Sequence, residues 1–187
     1  MRIVFVNHCH PETPHVCATR MREFAYALSS LGHSVILLTE VHKGQAADTY
    51  PGRKIQKHNF SSPLYLSTEP LGHPLITALR SRSLPWGIRQ AIIIYYYVIY
   101  KGVFTDWRLG TQSFLPIIAE NFKPDLIWAS FGNTDCWNIA KDLAHIAHCP
   151  WIADLKDLWS GFIPKTLQNL PAEQTWFLLK SVSRFRT

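Results

Sequence analysis

Apolar residues change their spacing along this chain in a way that sorts it into strands and helices. Ile3 to Val6 is a short continuous apolar run, read as a buried strand, and a polar loop carrying Pro11 and Pro14 follows it. From about Thr19 to Leu31, the apolar residues Met21, Phe24, Ala25, Leu28 and Leu31 recur at spacings of three and four, which predicts a helix with one apolar stripe. Thr19 is the candidate N-cap and Gly32 the candidate stop. Val35 to Thr39 then runs apolar without alternation, as a parallel strand covered on both faces does. Strand, loop, helix and strand in this order make a βαβ unit.

The middle of the chain has a weaker period. Lys54 to Phe60 alternates loosely and is read as a third strand. Pro63, Pro70, Pro74 and Pro85 punctuate a long excursion with a helix near Leu75 to Arg82. Ile88 to Phe104 reads as a helix that is apolar all round, which favours a buried position, and Asp106 to Asn121 reads as another helix. The pattern sharpens after Pro124. Leu126 to Ala129 is a strand, residues 130–133 a loop, Thr134 to Ala147 a helix with Ile139, Leu143 and Ile146 on one face, and Trp151 to Ala153 a strand. Two βαβ units predict an α/β fold, a Rossmann-like doubly wound parallel sheet. Residues 1–165 are read as that domain, and 166–187 as a terminal helix or the start of a linker.

Composition agrees with a packed globular chain: 187 residues, 47% hydrophobic and 17% charged. The formal net charge of +6 favours anionic partners. Its basic residues are scattered, in loose groups at Arg80, Arg82, Arg89 and Lys101 and at Lys180, Arg184 and Arg186, and no nucleic-acid motif accompanies them, so nucleic acid is not expected. The four cysteines form no Cys-x-x-Cys pair and no signal peptide precedes them, which fits thiols in a reducing cytoplasm. No apolar run approaches the roughly 20 residues of a membrane-spanning helix.

Ligands of doubly wound sheets lie beyond the carboxyl ends of the strands. Three loops therefore carry the candidate chemistry: 7–19, 130–134 and 154–162. At these loops the sequence resembles the family 4 glycosyltransferases. The likeness begins with His10-Pro11-Glu12, with Ala18-Thr19-Arg20 opening a helix, and with the junction Gly32-His33-Ser34-Val35. It continues with Thr105-Asp106-Trp107-Arg108-Leu109-Gly110, and is best at Pro150-Trp151-Ile152-Ala153-Asp154-Leu155-Lys156-Asp157-Leu158-Trp159, similar to the family's Pro-Trp-x-x-Asp-x-Arg-Asp-x-Trp. The resemblance covers roughly residues 1–165 and is poor in the middle. Two positions depart from it: His15-Val16 stands where the family has a glycine pair, and Lys156 stands where it has Arg.

The resemblance implies one half of a GT-B fold, the acceptor-side domain. In complete form such an enzyme moves a sugar from a nucleotide-sugar to a hydroxyl of a saccharide or lipid-linked acceptor, in cell-surface polysaccharide synthesis. The family's second domain, with its paired-glutamate motif, is not in these 187 residues, so the expectation is a chain inactive alone or one served by a second glycosyltransferase domain in trans. No cofactor or metal is implied beyond the nucleotide-sugar as co-substrate.

By resemblance, Asp157 and Asp154 are the candidate catalytic residues, shaping the acceptor site or positioning its hydroxyl. The alternative is a turn cap and an ion pair. Lys156 joins them as a substrate-binding candidate. Thr19 and Arg20 would meet a phosphate at the helix start, where amides and the helix dipole attract anions, or be surface residues. Ser130 and Asn133 would hydrogen-bond a sugar, although Asn133 or Thr134 equally suits a helix cap. His8, Cys9, His10, His15 and Cys17 crowd the first loop. Both residue types ligate zinc, but the spacing matches no standard zinc motif, and they are read as loop residues with His15 near a ligand.

Residues 86–101 combine Trp86, Ile92 to Ile94 and Tyr95 to Tyr97 with Arg89 and Lys101, a composition suited to peripheral contact at the inner face of a membrane. The competing function is a non-catalytic module using a Rossmann scaffold to bind a protein or a membrane surface. A stand-alone nucleotide-binding protein is disfavoured, because no Gly-x-Gly-x-x-Gly follows the first strand.

Overall fold

A computed structural model describes residues 1–42, 44–71, 74–80, 84–100, 106–130 and 134–154. Its elements run β1 (Arg2–Val6), α1 (Val16–Ser30), β2 (Ser34–Glu40), α2 (Pro51–Lys57), β3 (Leu64–Thr68), α3 (Pro74–Arg80), α4 (Trp86–Tyr100), α5 (Asp106–Thr111), α6 (Phe114–Phe122), β4 (Leu126–Ser130), α7 (Thr134–Ala147) and β5 (Trp151–Asp154). The strands form one five-stranded sheet in the order β3-β2-β1-β4-β5. Every pairing is parallel, with Val4 opposite Ile36 on one side and Ile127 on the other. This is a Rossmann-like α/β fold. The residues from Met1 to Asp154 form one compact unit; the predicted boundary at 165 lies outside the described residues.

The alternation along β1 explains how both faces are covered. Ile3 and Phe5 pack with Val35, Leu37, Met21 and Ala25, so α1 seals one face. Val4 and Val6 face the other way, into a larger cluster with Ile36, Leu38, Trp107, Leu115, Ile118, Ile139 and Leu143, supplied by β2, α5, α6 and α7. With apolar partners on both sides, β1 and β2 read as continuous hydrophobic runs. Gly32 (φ 82°) stops α1 as expected. Lys123 (φ 51°) and His148 (φ 53°) take the same left-handed conformation behind α6 and α7, each with a proline soon after.

Several sequence expectations need correction. Residues 54–60 are not the third strand: Pro51 at the first helical position starts α2 through Lys57, and β3 is Leu64–Thr68. The predicted 106–121 helix is broken into α5 and α6 by a turn at residues 112 and 113. Helix α4 is not buried. Tyr96 is its one buried described side chain, while Trp86 (78% exposed), Tyr97 (67%), Ile94, Val98 and Ile99 face outward. Periodicity reports which residues share a face, and an apolar helix carries no internal mark of what covers it.

Candidate functional site

Strand order reverses between β1 and β4, since β1 leads to β2 on one side while β4 and β5 lie on the other. The crevice beyond their carboxyl ends is the expected ligand position. Polar atoms collect there. Asn7 Oδ1, Thr39 Oγ1, Ser130 Oγ and Asp154 Oδ2, at the ends of β1, β2, β4 and β5, are buried without a hydrogen-bond partner among the described residues, and so is Asp135 Oδ1 at the start of α7. Such atoms cost free energy unless something satisfies them.

Asn7 organises the first loop. Its side-chain amide donates to the carbonyls of Cys9 (3.0 Å) and Cys17 (3.4 Å), folding the loop back onto the start of α1. His10 is buried; its Nδ1 accepts the Glu12 amide (3.3 Å), and its ring lies 5.3 Å from that of His42. Burial pushes its pKa down, an effect that Glu12 partly opposes. Gln45 donates to Glu12 (2.7 Å), so this loop is tied to the segment following β2.

Helix α1 begins three residues earlier than Thr19. His15 is the N-cap, with extended backbone (φ −139°, ψ 138°), and its Nδ1 accepts the Cys17 amide at 3.2 Å. A histidine is not among the usual caps, which is why the sequence pattern pointed to Thr19 instead. Thr19 and Arg20 therefore do not open the helix. Thr19 is exposed a turn inside it, where the dipole's pull on anions fades.

Arg20 reaches across to Asp154, its Nη2 2.9 Å from Oδ1. The Asp154 side chain is only 10% exposed and that of Arg20 34%. The guanidinium also lies 5.4 Å from the Phe24 ring, which in turn lies against Trp128. Ser130 pairs in register with Asp154 and is fully buried. Arg20, Ser130 and Asp154 thus come together; His15 sits at the head of the same helix; Asn133, Lys156 and Asp157 lie outside the described residues.

Two features were not read from the sequence. His8 lies between two thiols: Nε2 is 3.1 Å from Cys9 Sγ, and Nδ1 is 4.0 Å from Cys136 Sγ. The other is an acidic group built from Asp135, Asp106 and Glu40. Asp135 is fully buried, with Oδ2 accepting the Arg108 amide (3.1 Å). Burial pushes its carboxyl up to about 7; the Arg108 amide pulls the other way, and the Asp106 and Glu40 charges add to the rise. The Arg108 guanidinium is held by Asp142 through two bonds of 2.7 and 3.0 Å. An acidic residue in the first turn of a helix reads from sequence as a dipole partner, so Asp135 gave no signal of its burial.

No group of three or more His, Cys, Asp or Glu able to hold a metal ion occurs among the described residues. A surface depression of about 480 Å³ lined by Arg2, Glu120, Lys123 and Ile146 lies at the amino-terminal end of the sheet, away from these groups.

No family model matches the chain, and no curated protein sequence does. Among solved structures, the C-terminal domain of a hydrogenase from Pyrococcus furiosus is similar, at 10% identity and a TM-score of 0.43, over 82% of this chain and 90% of that one. At that level the likeness carries no argument about function.

Proposed function

We propose that this chain is the acceptor-side, Rossmann-like domain of a glycosyltransferase resembling family 4, which acts in transfer of a sugar from a nucleotide-sugar to a hydroxyl of a saccharide or lipid-linked acceptor. The observation that carries this reading is the Arg20–Asp154 contact. Its partners come from the first and the last of the three segments that resemble the family, 134 positions apart, and they meet at the strand ends. Ser130 Oγ and Asp154 Oδ2, buried and unpartnered among the described residues, supply acceptors suited to sugar hydroxyls. Asp154 would orient the acceptor while Arg20 fixes the carboxylate through their ion pair.

The test is titration of the protein with a panel of saccharide and lipid-linked saccharide acceptors, followed by NMR. Saturable binding weakened about tenfold or more by D154N and R20A, the effect of losing one well-placed polar contact, supports the reading. Absence of glycan binding, or binding indifferent to both variants, refutes it.

A membrane-surface contact belongs to the same proposal. Among the described residues no helix is long and apolar enough to cross a membrane. Yet α4 exposes Trp86, Ile94, Tyr95, Tyr97, Val98 and Ile99. Between Glu69 and Asp106 the sequence has no acidic residue, while Arg80, Arg82, Arg89 and Lys101 fall within that stretch. Apolar and aromatic side chains with basic neighbours suit the headgroup region of an anionic bilayer.

A further inference from the structure

We propose that Cys9 is a nucleophilic thiol activated by His8, and so a covalent modification site for small electrophiles such as peroxides, at the mouth of the crevice beyond β1. The inference is independent of the glycosyltransferase reading.

The arrangement is that of an activated nucleophile: a thiol, a base within reach, and a third group on the base's far side. Cys9 Sγ lies 3.1 Å from His8 Nε2, and His8 Nδ1 lies 4.0 Å from Cys136 Sγ. In the tautomer that carries its proton on Nδ1, toward the Cys136 sulfur, the Nε2 lone pair faces the Cys9 thiol. His15 is also near, its Nδ1 3.8 Å from Cys9 Sγ. That nitrogen already accepts the Cys17 amide, so its lone pair is engaged and the base is His8. The sulfur is nevertheless beside the N-cap of a 15-residue helix, whose positive end favours a thiolate.

Position and access agree. The Cys9 carbonyl is held by the Asn7 amide, so the thiol is part of a fixed loop. All four cysteines are thiols rather than disulfides; Cys9 and Cys149 are half-buried, and Cys17 and Cys136 are buried. Among the described residues Cys149 has no such partner group: burial, with Asp125 nearby, pushes its thiol up. It is an internal reference of comparable exposure.

The chemistry balances as follows. The Cys9 proton moves to His8 Nε2. With hydrogen peroxide, the thiolate attacks one oxygen, an S–O bond forms and the O–O bond breaks. The sulfur is oxidised by two electrons to the sulfenic acid, and the departing hydroxide takes the His8 proton and leaves as water. With iodoacetamide, an S–C bond forms, the C–I bond breaks, iodide leaves, and the proton passes from His8 to solvent.

The experiment is alkylation of the full chain by iodoacetamide at about pH 6.5, where an ordinary thiol is only ~1% thiolate, with each cysteine followed by peptide mass spectrometry. Cys9 is expected to react about tenfold or more faster than Cys149 in the wild-type protein. H8N should bring the Cys9 rate down toward that of Cys149, and an unchanged Cys149 rate confirms that the variant is folded. Equal rates in the wild-type protein overturn the proposal without any variant. A Cys9 rate that H8N leaves unchanged overturns the role of His8. Limited peroxide followed by a sulfenic-acid probe should label Cys9 first; labelling of Cys149 in preference counts against the site.

Discussion

Replacing Asp135 with Asn should remove most of a pH dependence built into the fold. Asp135 is fully buried, its Oδ2 is held by the Arg108 amide, and burial brings its carboxyl to about 7. In the unfolded chain an aspartate titrates near 4. The folded state therefore binds this proton more tightly, and the stability it lends is complete below about pH 4 and lost as pH rises through 7. About three pH units at about 1.4 kcal/mol each give ~4 kcal/mol, a ceiling because the surroundings relax around a buried charge.

His10 and His58 act in the opposite sense. Burial lowers both, so each makes the folded protein more stable as pH rises toward the ordinary imidazole value. Subtracting D135N from wild type cancels those contributions. Asn keeps an oxygen for the Arg108 amide and carries no charge. Urea denaturation at intervals from about pH 4 to 8.5 should show D135N gaining on wild type by as much as ~4 kcal/mol up to pH 7, then holding that gain. A wild-type-minus-variant difference that is constant with pH refutes the reasoning, for it would mean the carboxylate is already charged at acid pH.

Three other outcomes follow from particular contacts. R20A leaves the Asp154 carboxylate, 10% exposed, without its cation; because Arg20 is itself about a third exposed, the loss should be about 1–2 kcal/mol, and a double-mutant cycle with D154N should give a coupling near 1 kcal/mol. A Cβ on Gly110 would run into the Glu69 carbonyl oxygen, whereas one on Gly87 meets nothing within 4 Å. G110A should therefore cost about 2 kcal/mol or more and G87A little or nothing in the same denaturant assay, and equal effects would sink the packing account. I94E with Y97E on α4 should leave the melting temperature unchanged, since both side chains are exposed, and abolish co-sedimentation with anionic vesicles. Equal sedimentation of wild type and variant would remove α4 as the contact.

The parts legible in the sequence were those where side-chain period and burial coincide. β1, α1, β2, β4 and α7 each carry a continuous apolar run or a three-to-four stripe, because both faces of the inner sheet are covered; β5 was read from its apolar run although it is an edge strand with Ile152 exposed. The edge strand β3 was missed. Its residues alternate in burial but Leu64-Tyr65-Leu66 does not alternate in polarity, whereas the loose alternation read over Lys54 to Phe60 falls largely on the helix α2. The Arg20–Asp154 pairing was not legible, because an ion pair between positions 134 apart has no local signature. Nor was the Asp135 environment, which is set by α5 folding over α7 through Arg108.

On the proposed reading, His15-Val16 stands where the resembled family has a glycine pair, and geometry decides what the start of α1 can do. Glycines there would serve by letting backbone approach an anion closely or by adopting positive φ. His15 has an ordinary extended backbone, and Val16 points outward at 81% exposure, so neither residue strains the turn. The cost falls on the donors instead. The Cys17 amide, one of those a phosphate would use, is already taken by the His15 imidazole, so an anion at this helix end must displace the protein's own cap. On the proposed reading, recognition then shifts toward β4 and β5, where Ser130 and Asp154 retain unpartnered oxygens among the described residues and Arg20 supplies positive charge. The Asp154 carboxylate oxygen only accepts, so it suits a hydroxyl donor and repels phosphate, while the Ser130 hydroxyl can accept from or donate to a sugar hydroxyl. On that reading the crevice would take a neutral sugar acceptor in preference to the pyrophosphate of a nucleotide-sugar.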